Sequence, residues 1–204
     1  MAKAMRAVLV GCGGISGAWL KPAKQMPELE IVGLVDLREE ATARVAQEYD
    51  LPKAVRGSDL EAVLQCTEPD VVFNLTVPEA HAPVTLAALR HGCHVLTEKP
   101  LADSMANARQ MVQAAEQAGK ILAVIQNRRY DARIRRLRSF VESGIIGPLT
   151  TVNCDFYIGA HFGGFRDHMA HVLIMDMAIH TFDAARFLSA ADGVEVYCRE
   201  WNPA

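Results

Sequence analysis

Ala7-Val8-Leu9-Val10-Gly11-Cys12-Gly13-Gly14-Ile15-Ser16-Gly17 runs from a short apolar segment into a cluster of glycines and on toward Trp19 and Leu20. Buried strand, glycine-rich turn and helix, in that order, are the setting a dinucleotide fingerprint requires. Gly11 makes the tight turn and Gly13 lets the backbone approach a pyrophosphate. Gly14, Ile15 and Ser16 lead into a helix whose unpaired N–H groups meet the negative charge. Ser16 stands where the fingerprint has its third glycine, and a side chain this small still allows close packing of the helix on the strand.

Outward from this turn, apolar runs alternate with helical spacing as far as residue 125. Ala7–Val10, Ile31–Val35, Val71–Leu75, His94–Thr97 and Ile121–Ile125 read as doubly covered strands, with a shorter one near Ala54-Val55. Glu39–Tyr49, Asp59–Gln65, Ala82–His91 and Ser104–Ala118 read as helices, the last capped by Asp103 or Ser104 and stopped by Gly119. This alternation builds βαβ units around a mostly parallel sheet. The fold class is therefore α/β, with a dinucleotide-binding domain over residues 1–126.

A different pattern follows over residues 127–204. A basic helix from Arg129 to Glu142, a strand from Leu149 to Ile158, a helix near Leu173–Leu188 and a strand from Val194 to Trp201 imply an α+β domain with an open, mostly antiparallel sheet. Two strands alone leave an apolar face uncovered and both edges unpaired, so this second domain is expected to be incomplete, its missing strands supplied by a partner or by a longer chain.

Three further stations along the chain point at the glycine turn. Asp36 ends the second strand, about twenty residues on, where a carboxylate can accept both hydroxyl protons of an adenosine ribose. That favours NAD. Arg38 could meet a 2′-phosphate, so NADP stays open. Thr76 and Pro78, in Asn74-Leu75-Thr76-Val77-Pro78, end the fourth strand and line the cofactor pocket. His81 is counted beside them as a helix-start residue without chemistry of its own. Finally, Glu98-Lys99-Pro100 follows the strand ending at Thr97, where an ammonium placed past the strand end faces whatever the glycine turn holds. A lysine before proline is ordinarily a surface residue in a turn, and its neighbours here decide otherwise.

In the second domain Asp176 and His180 stand four apart within an apolar segment, on one helical face. A carboxylate in such surroundings needs a partner, and His180 is the nearest candidate. The bland alternative is an i,i+4 pair with the histidine satisfied in the core. His161, His168, His171 and His180 crowd this region, but their spacings match no familiar zinc pattern, and no metal is expected. Six arginines between Arg128 and Arg138 raise nucleic acid as a partner. Ile134, Leu137 and Val141 give that helix an apolar stripe, so most of the arginines form its solvated face. Asn127 and Arg129 remain candidates to reach the cofactor or an anionic substrate group.

Half of the 204 residues are apolar and the net charge is −3 with the signs interspersed, which excludes nucleic acid and anionic membrane as main partners. The five cysteines are scattered without a CxxC pair, as in a cytoplasmic protein with reduced thiols. No apolar stretch reaches transmembrane length.

The glycine loop from Gly11, Asp36, Thr76-Val77-Pro78 with His81, Glu98-Lys99-Pro100, Asn127-Arg128-Arg129-Tyr130, and Asp176 with His180 together resemble the GFO/IDH/MocA family of NAD(P)-dependent dehydrogenases, over essentially the whole chain. The resemblance implies a Rossmann domain and contact of the cofactor with Glu98, Lys99 and Asn127. It further implies hydride transfer between NAD(P) and a hydroxyl carbon of a sugar, inositol or related polyol. Lys99 would hydrogen-bond the reacting hydroxyl, His180 would carry the proton, and Asp176 would position both substrate and histidine. A homo-oligomer is expected. Met169–Met175 lacks the glycines that the family pattern has ahead of Asp176. The alternative class is a regulatory or scaffold protein that senses the nucleotide without catalysis.

Overall fold

The computed structural model describes residues 3–157 and 163–201, which fall into two compact units divided between Ile125 and Gln126. In the first, strands and helices alternate: β1 (Met5–Val10), α1 (Ser16–Ala23), β2 (Leu29–Val35), α2 (Glu39–Glu48), β3 (Val55–Gly57), α3 (Leu60–Thr67), β4 (Val71–Asn74), α4 (Pro78–Arg90), β5 (His94–Thr97), α5 (Met105–Ala118) and β6 (Leu122–Val124). The six strands form one sheet in the order β3-β2-β1-β4-β5-β6, every pair parallel.

The side-chain alternation of β1 explains why the sheet is covered on both sides. Ala7 and Leu9 enter one core with Leu20, Leu34, Val45 and Phe73, whereas Val8 and Val10 enter the other with Val32, Leu64, Val72 and Val95. Successive residues of a strand point to opposite faces, so a strand apolar at every position must be buried twice. Burying each such side chain stabilises the fold by roughly 1.5–3 kcal/mol.

Local chemistry sets the helix ends. Asp59 caps α3 by accepting the N–H of Ala62 at 3.3 Å, and Ser104 caps α5 by accepting that of Asn107 at 3.2 Å. Gly119 ends α5 in the left-handed region at φ 62°. α4 begins four residues before the expected Ala82 because Pro78 fills its first position, where a missing N–H costs nothing.

Register places the functional ends of the strands in one row. Val10 pairs with Val35 on one side and Asn74 on the other, and Asn74 pairs with Thr97. The residues immediately beyond, Asp36, Gly11, Leu75 and Glu98, therefore follow one another along the carboxyl edge. Between β1 and β4 the strand order reverses, which opens the crevice where such sheets hold ligands.

The second unit has a 3₁₀ turn at Asn127–Tyr130, α6 (Ala132–Glu142), a 3₁₀ turn at Gly164–His168, and a π-helical turn at Leu173–Met177 that runs into α7 (Ala178–Ser189). The expected strands at Leu149–Ile158 and Val194–Trp201 are not formed among the described residues. The only sheet there is the parallel one, so the open, mostly antiparallel sheet is corrected. Ile158 lies outside the described residues. The physical reason is lack of cover: Val194, Val196, Tyr197 and Trp201 are all largely exposed, and apolar residues without a packed face do not hold a ladder. Among the described residues no helix is long and apolar enough to cross a membrane.

Candidate active site

Gly11 adopts φ 97°, and a Cβ there would lie 2.6 Å from the Leu75 carbonyl oxygen, so only glycine fits where β1 approaches the end of β4. At Gly13 and Gly14 an added Cβ would meet nothing within 4 Å. Open space above these two residues leaves the backbone accessible to a pyrophosphate, so the turn fits the group its sequence implies. Ile15 lies exposed at the rim of the turn. Ser16 is buried, and its hydroxyl donates to the Gly13 carbonyl at 2.7 Å, closing the turn from inside. Close packing of α1 falls to Gly17, where a Cβ would sit 2.4 Å from the Tyr49 hydroxyl.

Asp36 is built into this turn. Its Oδ2 accepts the Cys12 N–H at 2.8 Å and its Oδ1 the Arg38 N–H at 3.0 Å. A carboxylate has about four lone-pair sites, so acceptor capacity remains for ribose hydroxyls. Arg38 is exposed, with its Nε 3.7 Å from Asp36. Arg44, which sequence reading did not single out, donates from α2 to the Cys12 carbonyl at 2.7 Å. An arginine on the α2 face nearest the turn was the available signal. Burial, with Asp36 adding to it, pushes the Cys12 thiol up to about 12, so it is no nucleophile.

Beyond β4, Thr76 is half-buried and its hydroxyl donates to Asn74 Oδ1 at 2.7 Å, while Pro78 is buried at the start of α4. Beyond β5, Glu98 Oε1 accepts the Trp19 indole N–H at 2.9 Å and its Oε2 accepts the Lys99 N–H at 3.2 Å. Trp19 in turn packs on Phe73 with ring centroids 5.4 Å apart. Glu98 thus ties α1 to the turn that carries Lys99. Lys99 is half-buried, and the Lys99–Pro100 peptide is cis. His81 is fully buried at the base of these turns.

In the second unit Asn127 is exposed in its 3₁₀ turn. Asp176, His180 and Asp183 are buried at 1%, 8% and 8% exposure, spaced as one helical face. Asp176 Oδ2 accepts from Arg166 Nε at 2.6 Å, so the cation that lets this carboxylate stay buried comes from the loop ahead of it as well as from any neighbour on its own helix. Asp183, missed by sequence reading, accepts from Arg129 Nε at 3.0 Å and from Nη2 of the same guanidinium. Arg129 is therefore held inside its own unit. Its i+7 spacing from Asp176 was the signal for Asp183. Arg138 lies on the packed side of α6, donating to the Phe187 and Leu188 carbonyls at 2.7 and 3.2 Å, where a cation satisfies the last carbonyls of α7. Ile134 and Val141 on the expected stripe are half-buried, but Leu137 is exposed. His161 lies outside the described residues.

A parallel sheet of this order, with a glycine turn after β1 and an acid after β2, defines a dinucleotide-binding α/β domain. The chain belongs to the GFO/IDH/MocA oxidoreductase family: residues 5–126 match its model for the oxidoreductase family with NAD-binding Rossmann fold, and residues 134–203 match the GFO/IDH/MocA C-terminal domain. It is 33% identical over 192 residues to the 1,5-anhydro-D-fructose reductase of Ensifer adhaerens, covering 92% of this chain and 57% of that protein. Among solved structures, the myo-inositol 2-dehydrogenase of Lactobacillus plantarum shares the fold at a TM-score of 0.78 and 18% identity, covering 92% of this chain and 57% of that one. The WlbA dehydrogenase of Bordetella pertussis, in complex with NADH and UDP-GlcNAcA, matches at a TM-score of 0.66 and 27% identity, covering 71% of this chain and 41% of that one. The chain spans about half the length of the curated relatives it matches.

Proposed function

We propose that this chain carries the cofactor and catalytic residues of an NAD(P)-dependent oxidoreductase that moves a hydride to or from a hydroxyl carbon of a sugar, inositol or related polyol. The observation that carries the reading is the row along the carboxyl edge of the sheet: Asp36, the Gly11 turn, Thr76 and Lys99 follow strands that are direct neighbours. Three inter-strand spacings separate Asp36 from Lys99, roughly 14 Å, a path suited to a molecule laid out with ribose at one end and reacting ring at the other.

In this reading Gly11, Gly13, Gly14, Ile15 and Ser16 seat the pyrophosphate, and Asp36 holds the adenosine ribose, favouring NAD over NADP. Thr76, Pro78, Glu98 and Asn127 border the remainder. The nicotinamide ring supplies the hydride chemistry. Lys99 donates a hydrogen bond to the substrate hydroxyl and stabilises negative charge as it develops there. His180 takes the hydroxyl proton onto its imidazole when the alcohol is oxidised and returns it when the carbonyl is reduced. Asp176, held by Arg166, orients the histidine and the substrate. A homo-oligomer completes the proposal, with scattered free cysteines supporting a cytoplasmic setting and the balanced charge a small-molecule partner.

Separate titrations with NAD and NADP, followed by a screen of polyols for reduced-nicotinamide absorbance, test it. We expect NAD to bind more tightly and Lys99→Ala to abolish turnover without abolishing NAD binding. If Lys99→Ala turned over as fast as the unaltered chain, the catalytic assignment of Lys99 would fall, whereas an unaltered chain that bound NAD and turned over no polyol would put the sensor reading in its place.

A further inference from the structure

His81 is 1% exposed and has no part in the chemistry proposed above. Its Nδ1 lies 2.7 Å from the Pro100 carbonyl oxygen and its Nε2 lies 3.1 Å from that of Thr76. Both carbonyls can only accept. A ring protonated on one nitrogen therefore bonds one of them, and a doubly protonated ring bonds both. The backbone carbonyl of His81 accepts from Asn74 Nδ2 at 3.0 Å, and the same amide reaches Thr85 Oγ1 at 3.2 Å. Asn74 Oδ1 takes the Thr76 hydroxyl at 2.7 Å and the Thr76 N–H at 3.4 Å. One buried network thus spans two turns, the one beyond β4 that borders the cofactor pocket and the one beyond β5 that presents Lys99.

We propose that His81 is a positioning residue, gripping the Pro100 carbonyl from the Thr76 turn so that the amine of Lys99 is presented at a set place beside the cofactor. The inference rests on the oxidoreductase reading only for its kinetic consequence. An apolar side chain would fill the same interior space, so burial alone does not call for an imidazole. Two acceptors on opposite sides of the ring do. The gripped carbonyl belongs to the residue that follows Lys99. If that bond is lost, a buried acceptor is left without its donor, and the turn must shift to recover one. Displacements of about 1 Å in a reacting group cost on the order of a hundredfold in rate.

The test uses the full chain with His81→Leu, which keeps the volume and removes both ring nitrogens, and His81→Gln, which keeps a side-chain amide donor. Four quantities are measured: thermal melting, NADH binding, steady-state turnover of a polyol, and the rate at which an amine-directed acylating reagent labels Lys99, read by peptide mass spectrometry. His81→Leu should fold, bind NADH within about threefold, keep KM within about threefold and lose roughly tenfold or more in kcat. Its Lys99 labelling rate should change by about threefold or more, with His81→Gln recovering part of both effects. The proposal is overturned if folded His81→Leu labels Lys99 at the unaltered rate, or if neither variant folds, which would assign His81 to the core alone. Labelling decides the clamp whether or not any polyol is turned over. Failure of turnover in the unaltered chain bears on the oxidoreductase reading instead.

Discussion

Asp36 Oδ2 accepts the backbone N–H of Cys12 at 2.8 Å, so the carboxylate at the end of β2 is part of the glycine turn that follows β1. The residue proposed to read the ribose also sets the shape of the loop proposed to hold the pyrophosphate. Affinity and loop geometry are therefore coupled through one side chain.

Replacing Asp36 with alanine should raise the NAD dissociation constant by about tenfold or more and leave the Cys12 N–H without its acceptor, at a cost of roughly 1–3 kcal/mol. Asp36→Asn keeps one acceptor oxygen and removes the charge that would repel a 2′-phosphate. It should lose less stability and narrow the preference for NAD over NADP. Calorimetric titration of both dinucleotides against both variants checks this, and an unchanged NAD-to-NADP ratio in Asp36→Asn would remove Asp36 from cofactor selection.

Two glycines in the turn should separate folding from binding. Gly11→Ala forces a side chain into φ 97° with its Cβ 2.6 Å from the Leu75 carbonyl oxygen, so the melting temperature should fall by several degrees, in line with roughly 1–3 kcal/mol of strain. Gly13→Ala meets nothing within 4 Å. It should melt within about 0.5 kcal/mol of the unaltered chain yet bind NAD more weakly, because the new methyl group occupies the path of the pyrophosphate. Equal NAD affinity in Gly13→Ala would move the pyrophosphate elsewhere.

Asp131 begins α6 by accepting the Arg133 N–H at 2.8 Å and the Arg133 guanidinium at 2.9 Å. These bonds hold its carboxyl well below the ordinary carboxylate range. A carboxyl with a lowered folded-state value stabilises the fold above its unfolded value of about 3.9, and that contribution is lost as pH falls through the lowered folded-state value. The helix start should therefore persist at pH 4 and loosen only in stronger acid. Following the Arg133 amide resonance against pH checks this: a midpoint near 3.9 would mean that the cap is not formed in solution, and Asp131→Asn should abolish the transition.

Arg129 and Asp183 form a pair in which the carboxylate is buried and the guanidinium about one-third exposed. Asp183→Asn should destabilise the second unit by about 2 kcal/mol, less than a fully buried pair because water still reaches the cation. The double variant Arg129→Met with Asp183→Leu should recover much of the loss, since two apolar groups need no partner. Denaturant titration of these chains together with the single variants Arg129→Met and Asp183→Leu measures it, and a strictly additive cycle of the two singles and their double would show that the pair is not coupled.

The order of strands and helices through residue 125 was legible because doubly covered strands are apolar at every position and their turns carry glycine or proline. The glycine turn, Asp36 and Lys99 were legible for the same reason, standing just beyond strand ends that the pattern locates. The start of α4 was read four residues late, since prolines at positions 78 and 83 mask a helix that tolerates one at its first position and one inside. The second half was read less well. Strand-like composition at Val194–Trp201 does not form a ladder, because a strand exists only with a neighbour to pair and a surface to cover.

By itself, the amino-acid order determined the class of sheet and the chemical types standing at its carboxyl edge, since both follow from local periodicity and turn chemistry. Only the tertiary structure decided which partner each polar group takes: Asp36 with Cys12, Glu98 with Trp19, Asp176 with Arg166, Asp183 with Arg129, and His81 between the carbonyls of Thr76 and Pro100. Those pairings join residues from 5 to 79 positions apart, and bonds across such distances are set by how the layers pack, which no local pattern encodes.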